Sequence, residues 1–140
     1  MPDIPYQRPA GQKRYSSISK HQVHARNRFS KWVSIRIERL TFDTADYGTF
    51  NHNTPQPSWM DANGNMWGFM HRFVNVGVDG EQFGYFENPN NPVNHWHGFP
   101  VTPFSQKRYV IDNTLLTLWV ASGHFDEDDI PALKQKRRIR

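Results

Sequence analysis

Four residues in the middle of this 140-residue chain, Arg72, Glu87, His95 and His97, carry side chains suited to phosphodiester chemistry. A carboxylate can remove the proton of a ribose 2′-hydroxyl, an imidazolium can protonate the leaving oxygen, and a guanidinium can stabilise the charged phosphorane. In that scheme Glu87 is the base, His95 or His97 the acid and Arg72 the phosphate clamp. Tyr85 and Trp96 offer rings on which a base can stack, and Lys107 and Arg108 add cations for the backbone. The scheme needs no metal and no cofactor.

The spacing that would assemble these residues comes from residues 69–101, FMHRFVNVGVDGEQFGYFENPNNPVNHWHGFPV. Asp79-Gly80 between two β-rich runs is a strong local hairpin signal. A two-residue loop there predicts the pairs Val76–Phe83, Val74–Tyr85 and Arg72–Glu87 on one face, because side chains alternate along a strand. Pro89 and Pro92 make residues 88–94 a loop, and His95–Phe99 reads as a third strand stopped by Pro100. A simple antiparallel return sets His95 opposite Glu87 and His97 opposite Tyr85. The predicted row is therefore Arg72–Glu87–His95.

This trio is similar, in residue types and not in any sequence motif, to that of small microbial and toxin-type ribonucleases on antiparallel sheets. The resemblance implies a small metal-independent endoribonuclease. Other readings use the same residues. An Arg–Glu pair with neighbouring imidazoles can simply finish the end of a sheet. A His-X-His strand with Glu87 could form a two-His-one-carboxylate metal site, although Arg72 beside it would repel a divalent cation. A third class is a non-enzymatic interaction protein that binds nucleic acid or an acidic partner through basic ends.

Charge is segregated along the chain. Residues 1–31 hold seven Lys and Arg against Asp3, and residues 134–140 hold five more, so the formal net charge of +4 conceals an acidic middle of −7. Basic ends favour polyanions, because neutralising phosphate is the main sequence-independent source of such affinity. The absence of Cys excludes disulfides, thiolate metal sites and a Cys nucleophile. No apolar run approaches the ~20 residues of a membrane span, and the N-terminus lacks an apolar signal core. A cytoplasmic protein without a membrane partner is the expectation. Phosphate-binding glycine loops and nucleophile elbows are missing.

These residues must be positioned by a small aromatic core, since Leu is scarce while five Trp, ten Phe and five Tyr are present. Residues 1–28 read as a mobile basic arm and residues 29–140 as one α+β domain. Within it, Phe29–Phe42 fits both a strand and a helical stripe, and its β-branched residues favour the strand. Residues 43–58 read as a long loop, followed by a short hairpin about Asn63-Gly64. Asp112 or Asn113 should cap a helix ending at Gly123, and Asp126 should begin a second helix with Phe125 and Ile130 as its hydrophobic staple. The acidic start of that helix argues against a DNA-reading helix-turn-helix. The predicted fold is an antiparallel sheet of three to five strands packed against C-terminal helices.

Overall fold

A computed structural model of the chain describes residues 3–9, 12–91, 93–136 and 139. The fold is α+β. Three strands, β3 (Met66–Phe69), β4 (Phe83–Glu87) and β5 (His97–Val101), form an antiparallel sheet in the order β3-β4-β5. A separate two-stranded sheet joins β1 (Ile4–Tyr6) to β2 (Tyr15–Ser17). An isolated parallel bridge between Tyr15 and Trp96 connects the two sheets at the β5 side. Helices α1 (Ile35–Tyr47), α2 (Asn113–Ala121) and α3 (Asp129–Lys134) complete the architecture.

The central sheet is covered on both faces, and its alternation explains why. Phe83 and Tyr85 point into an aromatic cluster with Trp67, Phe69, Trp119, Leu115, Leu116 and Leu133 from β3, α2 and α3. Phe86 points the other way, into a second cluster with Phe42 and Ala45 of α1, Trp32 and Tyr15. Gly68 lets α1 approach the sheet: a Cβ there would stand 2.5 Å from the Thr41 carbonyl oxygen. The C-terminal helices therefore cover one face, as expected, and α1 covers the other.

That helix corrects the strand expected over residues 29–42 and shortens the expected loop. Extended chain ends at Val33, whose N–H donates to the Val76 carbonyl at 2.9 Å. Ser34 then caps α1, its Oγ accepting from the Ile37 N–H at 3.1 Å. The helical stripe outcompetes the period-two pattern because Glu38, Phe42 and Ala45 bury one side of α1. Gly48, at φ 64°, ends the helix in the left-handed region that a glycine adopts without strain. Glu38 is itself fully buried; it accepts from the Tyr15 hydroxyl at 2.6 Å and from Gln22 at 3.0 Å. Burial raises its pKa above the ordinary carboxylate value.

Other local expectations match the structure. Met60 bridges Met66 about the Asn63-Gly64 turn, where Gly64 has φ 82°. Asp112 caps α2 through a 2.9 Å bond from the Leu115 N–H, and Gly123 follows it at φ 75°. α3 is shorter than expected. It starts at Asp129, whose carboxylate accepts from the Asp126 N–H at 3.0 Å, so Asp126 opens the preceding turn.

Part of the segment expected to be a mobile arm is built into the fold. Tyr15 and Ser17 are fully buried, and Arg8 sits between two carboxylates of α1, at 3.0 Å from Asp43 and 2.8 Å from Asp46. Lys13 also reaches Asp46 at 2.9 Å, and the Tyr6 hydroxyl donates to Asp43 at 2.5 Å. Burial and this carboxylate push the Tyr6 pKa up to about 12. Composition does not reveal this clamp because its acidic half lies some 35 residues away, on a helix whose sequence also fits a strand and a loop.

Candidate functional site

The candidate site is organised by the β4–β5 ladder. Its register pairs Glu87 with His97 and Tyr85 with Phe99. The predicted pairs, Glu87 with His95 and Tyr85 with His97, are therefore shifted by two residues. Residues 88–96 form a connection too long to fix a register by itself. Pro92, one of the two prolines expected to hold that connection out of the ladder, lies outside the described residues.

Arg72 leaves the row altogether. Asp79-Gly80 does lie in a turn, with Gly80 at φ 90°, but Val76 and Gly77 both donate to the Glu81 carbonyl and the ladder stops there. The strand that pairs with β4 is β3, in the register Phe69–Phe83 to Met66–Phe86. Residues 71–73 form a 3₁₀ turn in which Arg72 and Phe73 both take positive φ, at 64° and 52°. Phe73 is drawn into the core beside Phe69 and Phe125, at ring separations of 4.9 and 5.4 Å. Gln82 secures the Phe73 carbonyl at 2.9 Å. Arg72 thus lies near the Phe83 end of β4, roughly 13 Å along the strand from Glu87.

The two histidines converge on one residue of β2. His95 Nδ1 is hydrogen-bonded to the Ser16 hydroxyl, and His97 Nδ1 donates to the Ser16 carbonyl at 2.9 Å. Because a carbonyl only accepts, His97 carries its proton on Nδ1 when neutral, and Nε2 is then its basic nitrogen. That Nε2 stands 3.7 Å from Asp3. His-X-His therefore does present both rings to one side, as the alternation requires.

A third histidine joins them. His21, from the supposed arm, stacks on Phe99 with ring centres 5.0 Å apart and donates from Nδ1 to the Ser30 carbonyl at 2.7 Å. The residue is only 5% exposed. Burial lowers its pKa below the ordinary 6.5, as do Lys20 and Lys31, while the Ser30 carbonyl and Glu87 oppose the shift. The result is a neutral imidazole with its tautomer set and Nε2 as the basic nitrogen. No motif in the sequence marks it, since His21 follows Ser19-Lys20 in a polar segment.

Two contiguous depressions hold these groups. The smaller, about 300 Å³, is lined by His21, Glu87, His95 and His97. The larger, about 570 Å³, is lined by Lys20, Arg28 and Arg108 with Glu81 and Glu87. Lys20, His21, Glu87 and Phe99 border both, so the imidazoles and the cations face connected space. Burial raises the pKa of Glu81 above the ordinary carboxylate value.

The expected substrate contacts divide. Arg108 lines the larger cleft, its guanidinium 4.8 Å from the Tyr109 ring centre. Lys107 is exposed on the turn just before it. Tyr85 and Trp96 are both only 6% exposed and belong to the two cores, so neither ring offers a face to a ligand. Among the described residues no three His, Asp or Glu side chains stand close enough to hold a metal ion. No described helix is long and apolar enough to cross a membrane. Of the C-terminal basic run, Arg137, Arg138 and Arg140 lie outside the described residues. Comparison with protein-family models, curated proteins and solved structures finds no match.

Proposed function

We propose that this protein binds RNA and cleaves it by metal-independent transphosphorylation. The observation that supports the reading is the continuity of a Glu87, His21, His97 groove with a cleft lined by Lys20, Arg28 and Arg108. His21 Nε2 takes the proton of a 2′-hydroxyl, and the oxygen attacks the adjacent phosphorus. The bond from phosphorus to the 5′ oxygen breaks, and that oxygen takes its proton from the His97 imidazolium. The products are a 2′,3′-cyclic phosphate and a free 5′-hydroxyl.

Glu87 acts here as a positioning group and not as the base. It is exposed, lies opposite His97 in the ladder and favours the imidazolium that forms on His21. Lys20, Arg28 and Arg108 take the place first expected for Arg72 and stabilise the phosphorane. The acidic middle of the chain weakens attraction to RNA overall, so affinity rests on these local cations.

The test is RNA cleavage by purified protein in chelator. General acid–base catalysis contributes about 10²–10⁴-fold, so H21A and H97A should each lose about 10²-fold or more in kcat/KM. E87Q should lose less, and R72A should stay near wild type because Arg72 lies at the other end of β4. Full activity in both H21A and H97A would sink the proposal. RNA binding without cleavage, retained in all four variants, would favour a non-enzymatic binding protein.

A further inference from the structure

An exposed aromatic residue stands at the rim of the larger cleft. Phe29 is 52% exposed, whereas most of the rings of this protein are drawn into its two cores. It is not held there by apolar packing. The Asn27 side chain accepts from the Phe29 N–H at 2.9 Å, and Lys31 Nζ donates to the carbonyls of Asn27 and Phe29, both at 2.8 Å. Asn27 is tied back to the Lys20 carbonyl at 3.1 Å, and His21 to the Ser30 carbonyl. The loop therefore fixes Phe29 at the rim with about half of the residue exposed.

Its surroundings are cationic. Lys20 Nζ lies over one face of the ring, 4.6 Å from its centre, which leaves the opposite face for a base, and the edge-on His21 ring is 5.7 Å away. Arg28 lines the same cleft. An open ring beside cations is the combination that holds single-stranded nucleic acid, the ring stacking a base and the cations meeting the flanking phosphates. A duplex offers no unpaired face to such a ring.

We infer that Phe29 is the stacking platform for one unpaired base of a single-stranded RNA, with Lys20 and Arg28 on its phosphates, next to the His21 centre. The inference rests on the reading of the cleft as an RNA site. It places the scissile linkage beside the stacked nucleotide and makes the protein selective for single strands.

The experiment uses the full chain and a labelled 2′-O-methyl RNA oligomer, which lacks the 2′-hydroxyl and so reports binding without cleavage. Stacking of one base predicts that F29A binds the single strand about tenfold more weakly, that F29W restores binding, and that duplex affinity is the same in all three. The five native indoles are at most 6% exposed, so the indole of F29W is read separately by added quencher. Its emission should fall when the strand binds. Equal single-strand affinity of F29A and wild type overturns the inference, as does absence of any binding by wild type. If F29A weakens binding but unmodified RNA is never cut, the platform stands and the ribonuclease reading falls. If RNA is cut but F29A binds normally, the reverse holds.

Discussion

His21 is the residue on which the proposed chemistry turns. Its Nδ1 proton is committed to the Ser30 carbonyl, and burial keeps the ring neutral at more acidic pH than a free imidazole. A base with a pKa below 6.5 is more than half deprotonated at 6.5, so the acid limb of kcat/KM should have its midpoint below that value. A pH series of cleavage rates on a dinucleotide would measure it, and a limb centred at or above 6.5 would assign the base to another group. Glu87 is in a different position, exposed to solvent and facing His97 across the ladder. Because its charge favours the His21 imidazolium, its removal should move the limb to lower pH while lowering its height.

At the scale of elements, the β4–β5 ladder sets which side chains meet. Gly98 is the residue that permits the ladder to sit against its core. A Cβ at Gly98 would stand 2.6 Å from Phe86 Cε1, closer still to Cδ1, and 2.8 Å from the Tyr85 carbonyl oxygen. The Trp32 indole N–H also donates to the Gly98 carbonyl, at 3.2 Å, so the strand has little room to shift. Gly98→Ala should destabilise the protein by about 3 kcal/mol, the upper range for overpacking a filled core. Urea denaturation would show it, and a loss under about 0.5 kcal/mol would mean that β5 slides more freely than this packing allows. Because Glu87–His97 belongs to the same ladder, the variant should lose cleavage activity together with stability.

At the scale of the molecule, the N-terminal hairpin is structural. The Arg8 side chain is 3% exposed and bridges the buried carboxylates of Asp43 and Asp46, which ties β1 and β2 to α1. Arg8→Ala leaves two buried carboxylates with Lys13, Ser58 and Tyr6 as their remaining side-chain partners. Removing one member of a buried ion-pair network costs about 3 kcal/mol or more. Chemical denaturation at neutral pH checks this, and an unchanged midpoint would return the segment to the status of a dispensable arm. The same clamp explains why charge counts overstate the polyanion affinity of the N-terminus. Arg8 and Lys13 are neutralised within the fold, while Lys20 and Arg28 remain at the cleft.

The amino-acid sequence by itself determined the features that close over a few residues. The Asp79-Gly80 and Asn63-Gly64 turns, the Asp112 cap and the Gly123 terminus each depend on backbone groups three or four positions away, so local chemistry specifies them. It also determined the α+β class and an aromatic core. Tertiary structure decided the rest. Glu87 meets His97 because residues 88–96 leave the register to packing. Arg72 is carried away because Phe73 gains more by entering the core than by extending a strand. His21 arrives from a polar segment because Tyr15 and Arg8 anchor that segment on α1, through partners more than twenty residues distant. Such long-range contacts leave no period in the sequence, and the candidate site is built almost wholly from them.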